Sequence, residues 1–311
     1  LKAAKTLPHP ITPESVSRVL SDLAGMAVPP ELIELERRAW RWIAHLPGDL
    51  IAWVPADIGG AERLAREGRL LQFLAGKVSF GLPSVYYFDP DLRLQVRRKI
   101  PGAQLGGGGK EPDFGALSQG LRLGDHLGRA LGEFHRAVSP AEATKLGFEA
   151  RNLLPEADEL HSRLKGKLPD RQIAGTFERL LDAYRACKPP SHDIVLIHGD
   201  VWGGNMAVDL DSGALNGLFD FDDACIADRH FDFMYAHSFG EGFRERAFTA
   251  YAQAAGAKLS ARRTALYHAV SAFAALADTR NKGQTYMLAE RKMWVESVCR
   301  GPVSELALSV A

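Results

Sequence analysis

The stretch Leu196-Ile-His-Gly-Asp-Val-Trp-Gly-Gly-Asn205, followed by Phe219-Asp220-Phe-Asp-Asp223, constrains the fold of this chain more than any other. It sets a local order of elements. Ile194-Val-Leu-Ile197 is a short apolar run of strand formers leading into His198. Gly199, Gly203 and Gly204 allow the loop after it to bend tightly. Met206 to Asp209 and Leu215 to Phe219 flank a turn at Asp211-Ser-Gly213, which predicts a β-hairpin entered after Asn205 and left before Asp220. A fold for this chain must therefore hold a strand, a loop and a hairpin in that order, with an aspartate on the loop.

The two halves of the chain around this centre differ in pattern. Thr12-Pro13-Glu14 reads as a helix start, with a capping hydroxyl, proline at the first helical position and an acid in the first turn. Val16, Val19, Leu20 and Leu23 follow at helical spacing and Gly25 stops the run, so a leading helix is expected at about 12–25. Trp40-Arg-Trp-Ile-Ala, a turn at Pro47-Gly48-Asp49, and Leu50-Ile-Ala-Trp-Val54 predict an antiparallel hairpin. A helix is expected from about Gly60 to Gly76. Strands are expected over Leu82–Phe88 and Leu92–Arg97, with a turn at Asp89-Pro-Asp91.

Residues 101–116 are the sharpest break in composition, a linker or hinge followed by a flexible loop. Their four glycines and Lys110 do not make a phosphate-binding P-loop. Gln104 stands where the first glycine is required, and Glu111 where a hydroxyl would hold magnesium. Residues 117–137, 172–187, 243–256 and 262–278 then carry helical spacing. The expected fold class is α+β and bilobal. A small antiparallel β-rich lobe spans residues 1–100, and a larger mainly helical lobe spans 101–311 and carries the catalytic loop, metal site and acceptor site.

Composition limits the function. The 311 residues are 46% hydrophobic and 24% charged, which suits a soluble protein with a sizeable core. Lys plus Arg equals Asp plus Glu at 38 each, so nothing points to nucleic acid or an anionic membrane. Cys187, Cys225 and Cys299 are far apart and form no C-x-x-C pair, which argues against a disulfide framework or a zinc site. No apolar run reaches membrane-spanning length, and the first residues lack an apolar signal core. A cytoplasmic enzyme is expected, and oligomeric state is not encoded in any pattern here.

The central motif suits phosphoryl transfer from a magnesium nucleotide. That reaction needs charge neutralised, an acceptor held in line and water excluded, with little covalent chemistry from the protein. Asp200 is the candidate catalytic residue, orienting an acceptor hydroxyl and receiving its proton late. Asn205 offers a neutral oxygen and Asp220 a charged one, a donor pair that fits Mg2+. Asp and Asn also cap turns, so the motif alone is not proof. A metal hydrolase using His192, His198, Asp200, Asp220 and Asp222 is a remote alternative, because it lacks a paired motif such as H-E-x-x-H and leaves Asn205 idle. His198 itself reads as a structural hydrogen-bonding residue.

His198-Gly199-Asp200-x-x-x-x-Asn205, Phe219-Asp220-Phe221-Asp222 and Ala227-Asp228-Arg229-His-Phe-Asp232 resemble the aminoglycoside phosphotransferase family, which is related to choline and homoserine kinases and shares the protein-kinase fold. The resemblance implies ATP or GTP as donor, magnesium, and a small-molecule hydroxyl as acceptor: an aminoglycoside, another antibiotic or a small metabolite. By position it makes Asp200 catalytic and Asn205 and Asp220 metal ligands, with Asp228 and Asp232 bracing the segment after the metal site. Leu64-Ala-Arg-Glu67-Gly-Arg-Leu-Leu71 resembles the helix whose glutamate pairs with the nucleotide lysine. Val96-Arg-Arg-Lys-Ile-Pro-Gly102 resembles the interlobe hinge, where the backbone near Arg98 and Ile100 would meet the base. Gly128-Arg-Ala-Leu-Gly-Glu-Phe-His135 resembles the long helix after the hinge.

The resemblance breaks at one place. The strand expected to carry the lysine, Leu50-Ile-Ala-Trp53-Val-Pro-Ala56, has no basic residue, and Trp53 falls at or near its position. The preceding hairpin, around Arg37-Arg-Ala-Trp40, lacks the usual glycines. Arg37, Arg38 or Arg41 would supply the charge from a neighbouring strand; otherwise Glu67 has no partner. A kinase-like nucleotide-binding protein with little turnover is the alternative that this gap favours.

Overall fold

The computed structural model describes residues 10–38, 40–89, 94–105, 120–281 and 285–309. The glycine run at 106–109, Lys110, Glu111 and most of the predicted linker lie outside them, as do residues 90–93 of the predicted turn and strand. The chain divides into two compact units, Leu1–Pro112 with Gly203–Leu210 and Ala214–Asp222, and Asp113–Trp202 with Asp211–Gly213 and Asp223–Ala311.

The first unit begins with α1 (Pro13–Ala24). Thr12 and Ser15 form a reciprocal capping box, and Gly25 closes the helix in the left-handed region at φ 65. Five strands follow: β1 (Glu34–Arg37), β2 (Arg41–Leu46), β3 (Leu50–Pro55), β4 (Ser84–Phe88) and β5 (Gln95–Arg98). They form one antiparallel sheet in the order β1-β2-β3-β5-β4. Gly48 and Asp49 take positive φ in the predicted turn between β2 and β3. β1 precedes the expected hairpin turn around Arg37–Trp40, but Glu-Leu-Glu-Arg at a sheet edge carries no strand composition of its own.

The two faces of this sheet have different chemistry, and the register shows why. Ala52 lies opposite Ala44 on β2 and Val96 on β5, and Val54 opposite Trp42. With side chains alternating, these residues share one face. Val16 and Leu20 of α1 pack into the same apolar cluster. The other face carries Trp53 opposite Ile43 and Gln95, with Arg41 opposite Pro55 and Arg97 opposite Ile51. Helix α2 (Ile58–Leu74) belongs to this second face: its Glu67 meets Arg97, and a Cβ at Gly68 would come 3.0 Å from Gln95 Nε2.

The predicted central hairpin is present as β7 (Met206–Asp209) and β8 (Ala214–Leu218). It belongs to the first unit. Gly81 N donates to Asn216 O at 2.8 Å, Leu218 N donates to Gly81 O at 3.1 Å, and Ala103 exchanges backbone bonds with Val208. A Cβ at Gly217 would sit 2.2 Å from Gly81 O, so the approach needs glycine.

The second unit is mainly helical, as expected. It holds α3 (Gly120–Ala137), α4 (Pro140–Leu146), α5 (Ala157–Leu164), α6 (Arg171–Ala186), α7 (Glu241–Ala255), α8 (Ala261–Asn281), α9 (Leu288–Arg300) and α10 (Pro302–Leu308). Its core joins Leu160, Phe177, Leu180, Phe273, Leu276 and Val298 from four of these helices, with Phe177 and Phe273 rings 4.6 Å apart. β6 (Ile194–Ile197) pairs with β9 (Cys225–Asp228), a strand too short and mixed to stand out in the sequence. Among the described residues, no helix is long and apolar enough to cross a membrane.

Candidate active site

In the second unit, β6 runs directly into the loop that carries Asp200. Asp232 holds that loop. Its Oδ2 accepts from His198 N at 2.8 Å, and its Oδ1 accepts from Gly199 N at 2.8 Å. His135 Nε2 lies 3.0 Å from the same Oδ2, and His135 Nδ1 lies 2.9 Å from the Tyr251 hydroxyl. A buried carboxylate with three donors fixes the backbone one residue before Asp200. The resemblance placed Asp232 as a brace for the segment after the metal site; it is the loop before that site that it grips.

Gly199 has φ 85, and a Cβ there would meet Asp223 O at 2.6 Å. Both the left-handed backbone and the close approach call for glycine. His198 is fully buried, and its Nδ1 accepts from Asp200 N at 3.4 Å. It belongs to the architecture of the loop, as the sequence suggested.

Asp228 braces its own surroundings. Its Oδ1 accepts from His230 N at 3.1 Å and faces His230 Nδ1 at 2.7 Å, while Oδ2 accepts from Tyr267 Oη at 2.7 Å. Burial alone would raise its pKa, but His230 and Tyr267 hold the carboxyl below its ordinary value. Asp193, Asp228 and His230 are the one group of three such residues among the described ones close enough to share a metal. Arg263 Nη1 lies 2.7 Å from Asp193 and 3.3 Å from Asp228, so a guanidinium already supplies the positive charge there. Of the hydrolase ligands from the sequence, the His192 side chain is 78% exposed, and His198 turns its Nδ1 to the loop backbone.

In the first unit, the hairpin brings the two candidate metal ligands to one end. Phe219 N donates to Asn205 O at 3.2 Å, which sets Asn205 across from the residue before Asp220. Asp220 itself has φ 67, one of two described non-glycine residues with positive φ. That backbone costs energy in an aspartate and occurs at functional positions more than elsewhere. Burial pushes its pKa up, against the nearby Arg41 charge and with the Glu67 charge adding to the rise.

The cation near Asp220 comes from β2. Arg41 Nη2 reaches both Asp220 oxygens, at 2.7 and 2.8 Å, and its Nη1 lies 3.3 Å from Asp222 Oδ2. Trp40 Nε1 donates to the same Asp222 oxygen at 2.6 Å. Of the other two sequence candidates, Arg38 pairs with Glu36 at the surface, and Arg37 donates to Arg41 O.

Glu67 does have a partner, and it is one the sequence reading missed. Its Oε2 accepts from Arg97 Nη2 at 2.6 Å, both side chains being 0% exposed, and its Oε1 accepts from Phe221 N at 3.0 Å. So Glu67 fastens α2 to β5 and to the chain just past Asp220. Arg98 is exposed and lies opposite Leu50 and Ser84 within the sheet. Ile100 lies beyond the last register pair, past Lys99, whose N–H donates to Asp49 O at 2.8 Å.

An open pocket of about 640 Å³ lies in the second unit beside the Asp200 loop, lined by Gly199, Asp223, Tyr235, Ser271, Asp278 and Glu159 among others. Arg163 bonds both Glu159 and Asp278, but Glu156 and Asp223 line the pocket as well, so acids outnumber the cation there. Tyr235 is pushed up to about 12, first by burial and then by the Asp200 charge. Tyr235, His268 and Trp294 pack ring against ring, so these aromatics serve the core.

A five-stranded antiparallel sheet with its glutamate helix, and a mainly helical unit carrying a clamped aspartate loop, define a kinase-like phosphotransferase fold. The model of the phosphotransferase enzyme family matches residues 35–273, and the chain belongs to that family. Solved structures agree in fold. The GDP complex of wild-type aminoglycoside 2'-phosphotransferase-IIIa is 19% identical with a TM-score of 0.73, over 92% of this chain and 98% of that one. The macrolide 2'-phosphotransferase MphH from Brachybacterium faecium is 19% identical with a TM-score of 0.67, over 93% and 99%. The gentamicin complex of APH(2")-IIa is 18% identical with a TM-score of 0.62, over 97% and 100%. Comparison with curated proteins finds no match. The chain is thus a member of a family of phosphotransferase enzymes.

Proposed function

We propose that the protein moves the terminal phosphoryl group of ATP or GTP to a hydroxyl of a small molecule, an antibiotic or a metabolite, in the cytoplasm. The observation that supports this reading is the backbone pairing of Asn205 with Phe219, the residue before Asp220, which suits a neutral and a charged oxygen ligand acting together. Hard oxygen ligands of this kind suit Mg2+, which when bound would neutralise charge on the nucleotide phosphates.

The chain's own residues do the rest. Asp200 orients the acceptor hydroxyl and takes its proton as the phosphorus–oxygen bond to the acceptor forms and the bond to the leaving diphosphate breaks. Asp232 holds the loop so that Asp200 stays in place at no cost during reaction. Glu67 holds Phe221, and through it the segment carrying Asp220. Ile100 offers backbone groups to the base. The pocket beside Gly199 receives the acceptor, and its excess of acids over cations suits a cationic compound. Among the related structures, one is described as a gentamicin complex, another as a macrolide 2'-phosphotransferase, so both antibiotic classes belong in the assay.

The test is incubation of purified protein with Mg2+ and ATP or GTP against aminoglycosides, macrolides and small alcohols. Phosphorylated product that disappears in a folded Asp200→Ala variant is the expected result. Nucleotide binding without product on any acceptor would instead favour a non-catalytic binding protein, and no nucleotide binding would overturn the reading altogether.

A further inference from the structure

The register of the first unit's sheet sets Arg41, Trp53 and Arg97 on one diagonal of one face. The Arg41 guanidinium lies 3.9 Å from the centre of the Trp53 ring, and the Arg97 guanidinium 3.7 Å from it. Trp53 therefore separates two cations that would otherwise repel, and its π-face stabilises each. The two arginines have different partners. Arg97 pairs with Glu67 in full burial, whereas Arg41 reaches Asp220 and Asp222.

We propose that this enzyme divides between two arginines what one lysine of β3 would do: Arg97 pairs with the helix glutamate, and Arg41, delivered from β2, contacts the nucleotide phosphates. The inference rests on the phosphotransferase reading and names a binding residue that position along β3 would never suggest. Trp53 is not a lost lysine but the spacer that keeps the two charges apart.

Three observations support Arg41. It is 5% exposed, yet its Nε finds no acceptor among the described residues. Two further buried donors, Trp53 Nε1 and Arg97 Nη1, are also without an acceptor among the described residues, so the region around Trp53 offers more donors than those residues satisfy. Buried donors are rarely left so, and a polyanionic ligand supplies acceptors. The guanidinium also already touches Asp220, the residue proposed to hold the metal that such phosphates would share. An arginine fork suits phosphate oxygens better than a point charge does.

The experiment measures binding of ATP, GTP and the corresponding nucleosides to wild type, Arg41→Ala, Arg41→Gln and Arg41→Lys, with and without Mg2+, by calorimetry. Circular dichroism and thermal unfolding check the fold. Expected is a loss of triphosphate affinity of roughly 10-fold to 100-fold in Arg41→Ala and Arg41→Gln, with nucleoside affinity unchanged and partial recovery in Arg41→Lys. A merely structural arginine would weaken nucleoside and triphosphate alike, and that result overturns the inference. Triphosphate affinity equal to wild type in either neutral variant overturns it as well, while leaving the phosphotransferase reading intact. If wild type binds no nucleotide, both fall together.

Discussion

The fully buried Glu67–Arg97 pair allows a quantitative test of what holds the first unit together. In Glu67→Met the Arg97 guanidinium stays buried, with Trp53 and Gln95 as its remaining neighbours. In Arg97→Met the Glu67 carboxylate keeps only the Phe221 N–H. Breaking a buried pair from one side costs about 3–5 kcal/mol, because an uncompensated charge remains. The double variant removes both charges. It leaves Phe221 N without its acceptor, which costs about 1–3 kcal/mol. It regains some dispersion from two thioether side chains of similar length. The two singles should therefore sum to roughly 6–10 kcal/mol, and the double should fall short of that sum by at least about 3 kcal/mol. Urea unfolding followed by tryptophan fluorescence reports it, since Trp40, Trp42 and Trp53 lie in the first unit. A double variant as unstable as the sum of the singles would refute the reasoning, by showing that each residue's energy lies in contacts other than their mutual one.

Two further outcomes follow from the second unit. Asp232→Asn keeps the shape of the clamp but turns an amide nitrogen toward one of the two backbone N–H groups it now accepts from. Stability should fall by about 2–4 kcal/mol, and hydrogen exchange at His198 and Gly199 should accelerate; unchanged protection at both amides would contradict the assigned clamp. His268 accepts from Trp294 Nε1 at 3.2 Å through Nε2, and burial lowers its pKa to about 4. The folded-state value lies below the unfolded one, so the unfolded chain takes up the proton first. Stability should therefore be lost as pH falls from about 6.5 toward 4, on the order of 3 kcal/mol from this residue. A resonance assigned to the His268 imidazole and titrating near 6.5 in the folded protein would rule this out.

What could be read from the sequence depended on how local each signal was. The Thr12 cap of α1, the β2–β3 turn and the β7–β8 hairpin each depend on residues close in sequence, and each stands where the pattern placed it. The missing cation on β3 was also visible, because Trp53 sits where a basic residue was expected. Its resolution was not visible. Arg97 meets Glu67 only because β5 pairs with β3 in a particular register, a relation between residues 30 apart on different elements. The Asp232 clamp crosses 34 positions from Asp232 to His198, so sequence could name the residue but not its target. β9 and the short α4, α5 and α10 were missed because fewer than nine residues give little periodicity to read.

Because the β7–β8 hairpin is part of the first unit, that unit cannot be completed until late in synthesis. Glu67 waits for its second hydrogen-bond donor, Phe221 N, across 154 residues of chain. At usual rates of synthesis that interval lasts roughly 8–30 s. From the synthesis of β5 until the end of that interval, the chain carries Arg41 and Arg97 without Asp220 and Asp222, the carboxylates Arg41 will bind. A fragment ended at residue 112 would be held permanently at that stage, with the emerging first unit dependent on a hairpin that the ribosome has not yet reached.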